Sequence, residues 1–193
     1  GPSRSGVSFG RWPDGEQGSF YPSSDVTIGL ANAAPWAGPV VISEIQYNPG
    51  AQPDADSLEF LEVYNPGQSG EILTNWEIAG GVEFAFAEGI VLASGEFLLV
   101  VDFDPAGAAL LQAFRDHYNI DDTVQILGPW KGSLSNSGET LFLKRRDTTA
   151  EKIVDEKNGQ ANHPLVIEDV VSYADGGQWP SRPDGGGQSL ERK

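Results

Sequence analysis

The sequence predicts an all-β fold, a sandwich or a barrel. Short apolar runs recur along the chain, and its 24 glycines and 13 prolines fall between them. That is the punctuation of strands joined by turns. Only one segment carries apolar residues at helical spacing.

The runs read as strands in order. "PVVISEIQY" (Pro39–Tyr47) and "LEFLEVYN" (Leu58–Asn65) open the series. "WEIAG" (Trp76–Gly80), "VEFAF" (Val82–Phe86) and "EFLLVV" (Glu96–Val101) follow. The last is apolar on both faces, which predicts a central strand covered on both sides. After it come "TVQIL" (Thr123–Leu127), "ETLFLKRR" (Glu139–Arg146), "EKIVDEK" (Glu151–Lys157) and "VIEDVVSYA" (Val166–Ala174). In "TLFLKR", Leu141 and Leu143 share one face and Phe142 takes the other, with the basic end directed to solvent. Leu61, Val63, Leu99, Val101, Leu141 and Leu143 are the expected core.

The exception is "DFDPAGAALLQAFRDHYNI". Asp104 reads as an N-cap and Pro105 as the first helical residue. Leu110, Leu111, Phe114 and Tyr118 then share a face, so Pro105–Tyr118 is predicted as one helix lying on the sandwich. Residues 1–38 are rich in Gly, Pro, Ser and Ala without periodicity, and on composition read as a linker. The domain proper is expected over 39–193.

Composition excludes several classes. The formal charge is −16, a field that repels nucleic acid. No apolar run approaches the roughly 20 residues of a membrane helix. Cysteine is absent, so no disulfide or thiolate site exists and the compartment stays open. The chain holds no Met. With no leader segment either, it is expected to be a piece of a larger protein, with Gly1-Pro2 set aside as a cleavage scar.

Several stretches together resemble the lamin tail domain in its bacterial form. "VVISEIQYNPG" and "DSLEFLEVYNPG" are similar to the opening hairpin of that family. "ILTNWEIAGGVEFAF" and "IVLASGEFLLVV" resemble its middle section. "WKGSLSNSGETLFLKRRD" resembles its most distinctive segment, Trp-x-Gly-x-Leu-Ser-Asn-x-Gly-Glu. "DVVSYADGGQWPSRPDGGGQSLE" resembles its closing strand and loop. The resemblance runs from about 40 to 191 and implies an immunoglobulin-like β-sandwich. It also implies a non-catalytic module. One departure is the longer stretch between Asp147 and Val166, where an extra strand or loop is expected. "VSFGRWPDGEQGSF" repeats the order of elements in the closing segment. Residues 7–33 therefore resemble the end and linker of a preceding similar unit, which implies tandem modules. An orphan closing strand of this kind seeks a sheet edge, and a strand-mediated dimer through residues 7–20 is the expected outcome.

Carboxylates are the main candidate functional groups. Glu44, Asp54, Asp56 and Glu59 fall on one hairpin and its loop, and calcium takes six to eight oxygens from such loops. The helix-loop-helix calcium spacing fails, because position six from Asp54 is Glu59 and position twelve is Asn65. The simpler reading is a solvated acidic loop. Glu44 and Glu62 on adjacent strands also have the residue types of a glycosidase pair, although strand carboxylates more often line a solvated face. Trp12 and Trp179 lie in Gly-Pro loops and are the candidate ligand-binding aromatics, whereas Trp76 and Trp130 match core positions of the resembled family. His117 and His163 read as surface histidines.

The resemblance to the lamin tail domain in its bacterial form implies a non-catalytic interaction module of a bacterial secreted or surface protein, extracellular or at the cell surface. It requires no cofactor and is open to stabilisation by calcium. Its partners are expected to be a protein or a glycan at the cell surface. A carbohydrate-binding accessory domain is the alternative, and a hydrolase using a carboxylate pair is the third reading.

Overall fold

A computed structural model describes residues 7–12, 14–15, 20–50, 58–154, 159–176 and 179–192. Its strands are β1 (Phe9–Gly10), β2 (Tyr21–Pro22), β3 (Val41–Gln46), β4 (Phe60–Tyr64), β5 (Glu71–Ile72), β6 (Trp76–Ala79), β7 (Val82–Ala85), β8 (Val91–Leu92) and β9 (Phe97–Val101). After helix α1 (Ala108–Tyr118) come β10 (Gln125–Leu127), β11 (Lys131–Gly132), β12 (Gly138–Arg146), β13 (Ile153–Val154), β14 (Ala161–Asn162), β15 (Leu165–Ala174) and β16 (Leu190–Glu191).

Two five-stranded sheets form the sandwich, in the orders β10-β9-β4-β3-β16 and β11-β7-β6-β12-β15. Alternation along the strands decides what lies between them. Leu61 and Val63 of β4, Leu98 and Val100 of β9, and Leu141 and Leu143 of β12 all point inward. They pack with Trp76, Ile78 and Trp130 into one core. All six residues expected in the core are buried.

β9 is covered on both faces, as its composition requires. Its other residues, Leu99 and Val101, join Phe60, Phe103 and Phe114 in a second cluster under α1. The helix links β9 to β10, which pair in parallel. A crossover between parallel strands has to pass over one face of the sheet. Phe114 and Tyr118 meet Phe60 edge-on at 6.1 and 5.1 Å between ring centres.

The helix starts later than its sequence suggests. The Asp104 carboxylate accepts the Ala106 amide, and the Gly107 amide bonds the Asp104 carbonyl. That local turn uses up the would-be cap, so helical bonding begins only at Gly107. Asn119, in the left-handed conformation, ends the helix.

The described residues before the sandwich pair with one another and with the domain. Phe9–Gly10 pairs with Tyr21–Pro22 of the same chain, Ser23 bridges Pro35, and the Trp36 amide bonds the Pro22 carbonyl. A second molecule borrowing this segment would first have to displace that pairing. The Tyr21 hydroxyl reaches Ser172 on β15 at 3.4 Å. Between Asp147 and Val166, the extra length holds the small β13–β14 hairpin.

Candidate functional site

The Trp130–Glu139 segment builds one end of the sandwich. Gly138 has φ of +99°, and a Cβ there would collide with the Tyr173 carbonyl, so only glycine serves. The turn it permits aims Glu139 back at the loop. The Glu139 carboxylate accepts the Ser135 amide at 2.8 Å and the Tyr173 hydroxyl at 3.0 Å. Tyr173 in turn lies 4.8 Å from Tyr47, ring to ring. Burial and the nearby Glu139 push the Tyr173 phenol above its ordinary pKa, which keeps it a hydrogen-bond donor. Burial, with Asp184 and Asp175 nearby, does the same for Tyr47.

A row of carboxylates crosses the first sheet. Glu62, Glu44 and Glu191 occupy directly opposed positions on β4, β3 and β16. The Glu62 carboxylate accepts the Ser43 hydroxyl at 2.7 Å, and the Glu44 carboxylate accepts that of Ser189. Burial raises the Glu62 pKa, with Glu44 and Glu191 adding to the rise and Ser43 opposing it. Burial raises Glu44 likewise, opposed by Ser189 and reinforced by Glu191.

A carboxyl whose pKa is raised by folding favours its neutral form in the folded state. Stability therefore falls as pH climbs from the ordinary carboxylate value of 4.5 through the raised folded value. Glu62→Gln is expected to stabilise the protein at pH 7 by about 0.5 kcal/mol, the scale of a like-charge cross-strand pair. The gain should vanish below the ordinary value, where wild-type Glu62 is protonated too. Urea unfolding at several pH values checks this. A variant less stable than wild type at pH 7 would contradict it.

The opposite end is built around two consecutive acids. Glu168 and Asp169 on β15 are both fully buried. The β12–β15 register shifts there, with Leu143 opposite Asp169 but Lys144 opposite Ile167. Glu168 is the extra residue of this bulge. The Asp169 carboxylate accepts the Ile42 amide at 2.8 Å and the Arg192 guanidinium at 2.7 and 2.8 Å. The Glu168 carbonyl accepts the Gly38 amide. A Cβ at Gly38 would meet the Glu168 side chain, so glycine permits the approach.

The Glu168 carboxylate also accepts Arg145 Nε at 3.0 Å. The guanidinium is thereby held 5.9 Å from the centre of the Trp76 ring. Arg146 lies 3.7 Å from Glu77. The basic end of β12 is thus half-buried in ion pairs rather than free in solvent. Arg145 and Arg146 border a cleft of about 640 Å³, whose other wall runs from Gly70 to Trp76.

The predicted site residues are scattered. Asp54 and Asp56 lie outside the described residues. Glu44 sits in the carboxylate row, and Glu59 immediately precedes β4. The charges of both act on the Tyr118 phenol, whose pKa is raised chiefly by burial. Among the described residues no three His, Asp or Glu side chains form a metal-holding group. Trp12 and Trp179 are 45% and 40% exposed, and Trp76 and Trp130 are buried. His163 Nδ1 lies 2.9 Å from the Ala150 carbonyl, and His117 packs edge-on against Tyr118. Sequence reasoning missed the buried acids and the cleft. The one available signal was "IEDVV", two charges inside an apolar run.

Two packed sheets, closed by a glycine-dependent loop that holds a buried tyrosine, define an immunoglobulin-like β-sandwich domain. The profile of the lamin tail domain family matches residues 33–161, two-thirds of the chain, and the chain belongs to that family. The family is one of non-catalytic immunoglobulin-like domains. β15 and β16, beyond the matched stretch, complete the two sheets. No curated protein matches the chain.

Proposed function

We propose that the chain is a non-catalytic accessory module of a bacterial secreted or surface-attached protein, recruiting a protein or glycan ligand. The observation that carries this reading is the position of its two ends. β3 and β16 run antiparallel side by side, so the incoming residues 38–42 and the outgoing Arg192 lie together. Asp169 is bonded to both. Flanking sequence can then enter and leave the module side by side, as an appended module requires. The partly exposed Trp12 and Trp179 support the glycan alternative, since aromatic faces stack on sugar rings. Calcium is part of the proposal. Glu44 and Glu59 flank the acidic loop of residues 51–57, and a cation there would relieve charge that burial leaves poorly solvated.

The test has three arms. The full chain is immobilised and offered matrix proteins and cell-wall polysaccharides, incubated with chromogenic glycosides and esters, and melted in millimolar calcium or chelator. Saturable binding without turnover, and a higher melting temperature in calcium, are expected. Turnover abolished by Glu44→Gln or Glu62→Gln would overturn the non-catalytic reading. An unchanged melting temperature would remove calcium from it.

A further inference from the structure

The cleft between Gly70–Trp76 and Arg145–Thr148 has a chemically uneven lining. The Asn75 backbone closes a turn, in which the Trp76 amide bonds the Leu73 carbonyl and the Arg146 amide bonds the Asn75 carbonyl. The Asn75 side chain takes no part. Among the described residues, the Asn75 amide, the Glu71 carboxylate, the Thr148 hydroxyl and the terminal nitrogens of Arg145 have no hydrogen-bond partner in the protein, and all four residues line the same cleft. Exposed Ile72 adds an apolar flank.

Arg145 is the fixed element. Its cross-strand partner in the register is Trp76. Its Nε is tied to a carboxylate that is itself fully buried. The side chain is therefore oriented before any ligand arrives, and less rotamer freedom is lost on binding. What remains free is the outer edge of the guanidinium, which only donates. Glu71 only accepts, and Asn75 does both.

Charge decides the class of ligand. The two guanidiniums of Arg145 and Arg146 are matched by four carboxylates, those of Glu168, Glu77, Glu71 and Asp147. In a chain of net charge −16, such a cleft does not attract a free anion. Fixed donors and acceptors side by side, without net positive charge, suit a neutral molecule bearing several hydroxyls. Each hydroxyl both donates and accepts, and leaving such groups unpaired is what makes a polar site selective.

From this juxtaposition of Glu71, Asn75, Arg145 and Thr148 we infer that the cleft is a binding site for a neutral carbohydrate, distinct from the surfaces around Trp12 and Trp179. The inference rests on the accessory-module reading and names a ligand class and a place for it.

The test uses the full chain, labelled with nitrogen-15, and follows backbone amides in titrations with cellohexaose, xylohexaose, chitohexaose and mannohexaose. Oligogalacturonate and inorganic phosphate form the anionic arm. At least one neutral oligosaccharide is expected to shift amides within Ile72–Trp76 and Arg145–Thr148, with little dependence on salt. Glu71→Ala and Asn75→Gly should each weaken it by about tenfold or more, one well-made hydrogen bond or two. Both variants should fold, because Glu71 has no protein partner to lose and Asn75 already sits at φ of 66°, which glycine adopts freely. Trp179→Ala should leave binding intact. No shift at these amides up to about 10 mM of any neutral probe, an affinity weaker than about 3 kcal/mol, would overturn the site. So would a response to the anions alone, or binding indifferent to both cleft variants. Protein binding that persists in both variants would leave the accessory module standing without this cleft.

Discussion

Arg192→Ala is expected to destabilise the protein by about 3 kcal/mol, the low end of the range for breaking a buried ion pair. Asp169 is fully buried, and its carboxylate has both oxygens on the Arg192 guanidinium. Removing the arginine strands that charge with one remaining donor, the Ile42 amide. The effect stays at the low end because the Arg192 side chain is 38% exposed, so water already screens part of the attraction. Arg192→Lys should recover part of the loss. Urea unfolding reads the difference as a lower midpoint at unchanged slope. A midpoint equal to wild type would show that the outgoing segment does not close the sandwich.

Leu141→Ala should cost about 2–5 kcal/mol through lost burial and the cavity left behind. Leu141 is fully buried at the centre of β12. That strand pairs with β6 on one side and β15 on the other, so the surrounding backbone has little freedom to collapse into the gap. Phe142, one residue on, faces outward with Lys144 5.1 Å from its ring centre. Phe142→Ala should cost less despite removing a larger side chain. Parallel thermal melts compare the two, and a larger loss at Phe142 would reverse the assignment of faces.

The long strands were legible because burial imposes a period on them. "FLLVV" is apolar throughout, and it lies between the core and the helix. "TLFLKR" alternates, and its leucines face inward while Phe142 does not. The two-residue strands β5, β8, β11 and β16 were not legible, because two residues carry no period. They are held by partners far along the chain, as Leu190 is by Ile45. The helix start was misplaced because Asp104 satisfies a turn instead of a cap, and the sequence "DPAG" suits both. Glu168 and Asp169 escaped notice because alternation predicts that one of two neighbours faces out. Only the bulge buries both. The cleft could not be read at all, since its walls come from segments some 70 residues apart that only the β6–β12 register brings together. Of the acidic loop, the residue types were legible, but Asp54 and Asp56 lie outside the described residues.

Hydrogen exchange of the Ile42 amide tests most directly whether one buried acid fastens the incoming and outgoing ends of the module. That amide donates to Asp169 on the opposite sheet and so should open only when the sandwich opens. It is expected to rank with the slowest amides of β4 and β12 in the wild type, and to exchange markedly faster in Arg192→Ala. Exchange in the wild type as fast as that of the amide of Ile28, a residue 90% exposed, would contradict the account.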